Sequence, residues 1–304
     1  MTALRDFDSW PRAPLHLAIG VFDGVHRGHQ ALIAKLKDGC RGTGATALAA
    51  TFDPLPIQFF APNAPPSALS DVDGRRRRLQ DAGADHVVVF RFDAAFAALS
   101  PEEFTARIAG AGDVKRIVVG EDFQFGHERA GNVDTLARLC PRFGCVLEVM
   151  PPIKIDGEIV SSTRVRNALL AGDLDLATRL LGRAYDVRGT VVHGEKRGRA
   201  LGFPTINLAV PRERLLPRDG IYAMRVRIGD RDVGAAASLG VRPTFGGGDR
   251  TLEAFLLDWE GELYGESVEA SFVTRLRDEL RFASAAELSA QIARDVEQAR
   301  RALR

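Results

Sequence analysis

With 304 residues, 45% hydrophobic and 27% charged, the chain has the make-up of a globular protein of about two domains. Its 41 Lys and Arg against 40 Asp and Glu leave a formal charge of +1, which excludes the basic excess of a nucleic-acid or membrane-surface binder. Any phosphate it holds is therefore held by local charge and backbone amides.

Up to about residue 183, apolar runs at 15–20, 45–52, 86–90, 115–119 and 145–150 read as strands buried on both faces. Amphipathic segments at 30–37, 74–82, 101–109 and 133–140 read as the helices between them. That alternation predicts a doubly wound parallel sheet, with its ligand site beyond the carboxyl ends of the strands. Arg75 to Arg78 read as the solvated start of a helix. Residues 161–181 predict two helices broken at Gly172 and Asp173, and the texture changes beyond Tyr185. Short strands at 187–192, 221–228, 233–238, 252–257 and 268–272, separated by Gly- and Pro-rich turns, predict an antiparallel barrel or sandwich. A terminal helix follows over 285–303, with Ser284 as its cap. The boundary is expected near Gly182 and Arg183, giving domains 1–183 and 184–304. Cys40, Cys140 and Cys145 form no Cys-x-x-Cys pair and read as free thiols. No run approaches the roughly 18 apolar residues of a membrane span, so the cytoplasm is the expected place.

The first strand runs into Gly-Val-Phe-Asp-Gly-Val-His-Arg-Gly-His at 20–29, a glycine-rich turn opening a helix. His26 and His29 lie three apart at the helix start, where exposed amides and the helix dipole favour phosphate. Two imidazole donors there suit the charge that builds on an α-phosphate during nucleotidyl transfer. The plainer alternative is that one histidine caps the helix and the other is solvated. Ser-Ser-Thr-Arg-Val-Arg at 161–166 precedes another helix, with Ser162 or Thr163 as an ordinary cap and an arginine within reach of a phosphate. These paired motifs resemble the signatures of the HxGH nucleotidyltransferases. Gly-Glu-Asp-Phe-Gln-Phe-Gly at 120–126 and Leu181-Gly-Arg narrow the resemblance to the bacterial bifunctional riboflavin kinase/FAD synthetases. It implies a Rossmann-like first domain in which Gly20, Phe22, Asp23, Gly24, Gly28, His26, His29, Ser162, Thr163 and Arg166 handle ATP. It places Phe52, Asp122 and Phe123 around the flavin. The family reads Phe-x-Pro-His-Pro where this chain has Phe52-Asp-Pro-Leu-Pro56. Leu55 donates to no anion, so slower FMN adenylylation is expected, and Leu55→His is expected to raise it.

In the second half, residues 189–207 are dense in glycine and cationic side chains but contain no Walker A loop. Gly194, Gly198 and Gly202 allow close approach of backbone to phosphate. Thr205 and Asn207 share a face in an extended segment and offer oxygen donors to Mg²⁺. A mobile basic hairpin is the alternative. Gly-Arg-x-Leu-Gly-Phe-Pro-Thr-x-Asn at 198–207 resembles the riboflavin kinase signature, and the likeness continues through residues 219–222, 240–244, 252–259 and 276–279. It implies a six-stranded antiparallel flavokinase barrel with a terminal helix, Glu253 as base toward the ribityl hydroxyl, and ligand contacts at Arg197 and Arg277. Substrates and products would be ATP with Mg²⁺, riboflavin, FMN and FAD. No nucleic acid or membrane partner is implied, and a monomer or weak homo-oligomer is expected. A monofunctional kinase with a weak or merely sensing first domain is the other reading.

Overall fold

Leu15, Leu17 and Ile19 pack on one side of strand β2 (Leu15–Ile19) and Ala18 on the other, so the strand is buried from both faces. It belongs to the first of two compact units, Met1–Ser162 and Thr163–Arg304. The structure, a computed structural model, describes residues 4–7, 10–194, 198, 201–241 and 250–304. Besides β2, the first unit has β1 (Leu4–Arg5), β3 (Thr46–Asp53), β4 (His86–Arg91), β5 (Val114–Gly120) and β6 (Val146–Met150). All pair in parallel in the order β1-β4-β3-β2-β5-β6. From β2 the sheet grows one way to β3 and the other way to β5. The switch point, where such sheets bind ligands, therefore lies at the carboxyl ends of these strands.

Helices α1 (Arg27–Cys40), α2 (Pro56–Phe60), α3 (Val72–Asp81), α4 (Ala94–Ala97), α5 (Pro101–Ala111) and α6 (Val133–Leu139) fill the connections. One core joins Leu48, Phe52 and Phe90 to Phe104 and Ile108 of α5. The other sets Ile33 and Leu36 of α1 against Ala18, Ala47 and Ala49, whose small side chains let the helix lie close. Ser100 and Glu103 close a capping box at the start of α5. A short hairpin, β7 (Lys154–Ile155) and β8 (Glu158–Ile159), precedes α7 (Ser162–Ala171).

The two compact units part in the chain between Ser162 and Thr163. The physical reason lies in α8 (Leu174–Leu181), which packs on β9 (Tyr185–Val192) and β14 (Ser267–Arg277) and buries Leu174, Ala177, Leu180 and Leu181. With β10 (Thr205–Ala209), β11 (Gly220–Ile228), β12 (Arg231–Val241) and β13 (Arg250–Leu256), these strands close into an antiparallel barrel in the order β10-β13-β12-β11-β14-β9. The barrel thus replaces the open choice between barrel and sandwich. Its interior takes every second residue, such as Leu252, Ala254 and Leu256 of β13, and Thr251, Glu253 and Phe255 face outward. Helix α9 (Ala285–Ala302), capped by Ser284, lies on β11, β12 and β14.

Candidate active sites

The turn after β2 is held in an uncommon backbone conformation. Phe22, Gly24 and Val25 all have positive φ, at 50°, 78° and 43°. For two non-glycine residues this costs of order 1–3 kcal/mol each, sustained only where the surroundings dictate it. Asp23 supplies that surrounding. It is 1% exposed, and its carboxylate accepts from the backbone N–H of Leu69 and Ser70 and from the Ser70 hydroxyl. Ser70 Oγ in turn accepts from Gly24 N, and Ser162 Oγ donates to the Asp23 carbonyl at 2.9 Å. Asp23 thus turns its charge inward to fix the turn. Phe22 is likewise buried, its ring lying over Gly20, where a Cβ would stand 3.0 Å from it.

His26 caps α1, its Nδ1 accepting from His29 N at 3.4 Å, which leaves the ring proton on Nε2. Its ring stacks on that of His29 at 3.6 Å, and Phe22 meets His29 edge-on at 5.1 Å. Gly28 makes room, since a Cβ there would lie 3.2 Å from the His26 ring. His29 Nδ1 is buried with no hydrogen-bond partner among the described residues. Burial, then the neighbouring His26, hold His29 well below the usual imidazole range. One histidine therefore caps the helix, but the other is not solvated. It is a neutral ring stacked beside the first.

At the carboxyl end of β3, Phe52 is buried in a cluster with Phe90, Phe92 and Phe96. Phe59 and Phe60 of α2 both pack edge-on against Phe92, and Phe60 is 67% exposed. Leu55 is 2% exposed, its N–H capped by Gln58 Oε1 at 2.7 Å, so its side chain is turned into the fold. Across the switch point, Gly120 ends β5, Asp122 is exposed, and half-buried Phe123 stacks on Phe125 at 5.4 Å. The sequence reading missed Arg75. Far from being solvated, it is 1% exposed and donates from Nη2 to the Phe52 carbonyl at 2.6 Å. An arginine run alone carries no signal for such burial.

In the second unit, Thr163 and Arg166 lie on α7. On the barrel, Asn207 of β10 pairs directly with Glu253 of β13, and Thr205 stands two residues away on the same strand. Opposed and alternate residues point to the same side of a sheet, so Thr205, Asn207 and Glu253 share one outward face. Ser238 of β12, opposite Glu253, joins them without any sequence signal. A Cβ on Gly194 would collide with the Asn207 side chain, and one on Gly198 with the Phe203 carbonyl. At these two positions the missing Cβ lets the backbone lie against Asn207 and Phe203. Gly202 takes φ 86°. Arg197 falls outside the described residues. Arg277 is engaged elsewhere. Its guanidinium forms a two-bond pair with Asp295 of α9, at 2.9 and 2.6 Å, and donates to the Asp278 carbonyl. Among the described residues, no three His, Cys, Asp or Glu side chains cluster as a metal site. The hydroxyl and amide oxygens of Thr205 and Asn207 nevertheless fit Mg²⁺, which keeps most of its waters and takes few protein ligands.

A doubly wound nucleotide-binding unit followed along the chain by a closed barrel with this polar face defines a two-domain nucleotide-dependent transferase. Residues 10–164 match the family model for FAD synthetase and residues 181–303 that for riboflavin kinase. A bifunctional riboflavin kinase/FMN adenylyltransferase of Pseudomonas fluorescens is 41% identical over 93% of this chain and 91% of its own. One from Escherichia coli K12 is 37% identical over 97% and 96%. The crystal structure of a protein from Streptococcus pneumoniae described as a macrolide-efflux protein superposes with a TM-score of 0.89 at 30% identity, over 99% of each chain. Among the described residues, no helix here is long and apolar enough to cross a membrane. The chain belongs to the bifunctional riboflavin kinase/FMN adenylyltransferase family.

Proposed function

We propose that this chain makes FMN from riboflavin on its barrel and FAD from FMN on its parallel-sheet unit, using ATP for both. The observation that carries the kinase half is the register that sets Asn207 directly opposite Glu253, with Thr205 on the same face. Glu253 accepts the proton of the ribityl 5′-hydroxyl as its oxygen bonds to the γ-phosphorus of ATP. The bond from that phosphorus to the β-phosphate oxygen breaks, and ADP leaves. Thr205 and Asn207 would hold Mg²⁺, which when bound would neutralise phosphate charge. Gly194, Gly198 and Gly202, with Arg197 by its match to the family, are assigned to the phosphates of this ATP. Arg277 is better assigned to holding α9 than to the ligand.

In the parallel-sheet unit, a phosphate oxygen of FMN attacks the α-phosphorus of a second ATP and pyrophosphate leaves. Neutral His29 and the His26 ring stacked on it at the amino end of α1 donate to the α-phosphate oxygens and need no covalent intermediate. Gly20, Phe22, Asp23, Gly24 and Gly28 shape the turn beneath them, and Ser162, Thr163 and Arg166 match the family motif for contacts to ATP. Phe52, Asp122 and Phe123 stand at the flavin, with exposed Phe60 as a further stacking surface. The working boundary between the activities is placed near residue 183, after α8. The three free cysteines accord with a reducing cytoplasm, and the expected state is a monomer or weak homo-oligomer.

The test is incubation with riboflavin and MgATP, with flavins separated over time. FMN should appear first and FAD follow from it. FMN alone, with no FAD even from added FMN, would leave only the kinase half standing.

A further inference from the structure

Burying a guanidinium is costly unless the fold uses it, and Arg75 is the largest fully buried side chain of the described residues. It sits one turn into α3, and its Nη2 grips the Phe52 carbonyl at the carboxyl end of β3. The segment just before it does a matching job. Leu69 and Ser70 bind the Asp23 carboxylate, Ser70 Oγ binds Gly24 N, and Asp71 caps α3 by accepting from Gly74 N. Residues 69–75 are therefore bonded on one side to the glycine-rich turn that carries His26 and on the other to the turn that runs from Phe52 to Leu55. Thr51 Oγ1 closes the ring by donating to the Val21 carbonyl at 2.9 Å. Both turns lie at the ligand end of the sheet.

We infer that Arg75 is a positioning residue for adenylyl transfer, clamping the turn after β3 against the glycine-rich turn and placing a fixed positive charge beneath the phosphate end of the sheet. The inference rests on the reading of this unit as the FMN adenylyltransferase. Its acceptor, the Phe52 carbonyl, lies three residues before Leu55, so the grip holds the start of the turn that carries Leu55. A misplacement of about 1 Å at such a site costs on the order of 100-fold in rate.

The experiment measures kcat and KM for FMN and for MgATP in FAD formation by the full chain, for the parent, Arg75→Lys and Arg75→Met. Riboflavin phosphorylation by the same molecules serves as the internal control, with thermal melting alongside. Arg75→Met should lose roughly 100-fold in kcat with KM values changed far less, Arg75→Lys should recover at least tenfold of that, and the kinase should stay within twofold. If Arg75→Met does not fold, Arg75→Lys decides. Folded, it should still fall severalfold below the parent in kcat, because its ammonium lacks the fork that reaches Phe52. A folded variant with parental kcat, or losses that merely track the folded fraction, overturns the inference. A parent that makes no FAD refutes the underlying reading instead.

Discussion

Glu253→Gln keeps the shape of the side chain and its place opposite Asn207 but accepts no proton. A lost positioned base costs about 10²–10⁴-fold, so riboflavin phosphorylation should fall by that factor, with FMN-to-FAD conversion spared. A kinase unaffected by the change would remove Glu253 from the mechanism. His29 makes a different kind of prediction. Its proton affinity is lowered in the fold by burial and by His26, so as the pH drops the unfolded chain takes up the proton first. The stability it contributes is therefore present above about pH 6.5 and is lost as the pH falls below it. Melting of the first unit should drop between pH 6.5 and 5, and less so in His29→Asn; buried His16, lowered by burial and Arg116, accounts for part of the remainder. Leu55 reads differently in the fold than in the sequence. Because the side chain points inward, Leu55→His buries an imidazole at a cost of about 1–3 kcal/mol and should not speed FAD formation. Faster FAD formation from Leu55→His would show that the turn swings to present residue 55 to phosphate.

Among the elements, α9 is held by an ion pair rather than by apolar packing alone. Asp295 is 4% exposed and bound by both Arg277 and Gln291. Asp295→Ala leaves the Arg277 charge without its partner, and the barrel should lose on the order of 3 kcal/mol in denaturant unfolding. An unchanged midpoint would mean the pair is idle. Gly194→Ala forces the Asn207 side chain to move, and kinase activity should drop roughly 10–100-fold with little change in stability. The strands with long apolar runs were legible in the sequence, as were the helices between them, because periodicity and caps encode both. Strand β10 was not read as a strand from its apolar pattern, since only Leu208 of its five residues is buried. Arg75, Asp23 and Arg277 show the same limit at the sites. Sequence shows that a charged side chain exists near a motif, but whether it faces ligand or backbone is fixed by elements distant along the chain, such as residues 69–70 for Asp23 and α9 for Arg277.

At the scale of the whole chain, the two reactions draw on separate residues, His26 and His29 for one and Glu253 for the other. Variants in one set should therefore leave the other reaction intact. The most direct measurement follows riboflavin, FMN and FAD over time with MgATP for the parent, His29→Ala and Glu253→Gln, each checked for folding by circular dichroism. His29→Ala should accumulate FMN at close to the parental rate and form FAD at no more than about a hundredth of it, the loss expected of a transition-state donor. Glu253→Gln should convert supplied FMN to FAD as the parent does and make almost no FMN from riboflavin. Both activities falling together in either folded variant would contradict the two-site account.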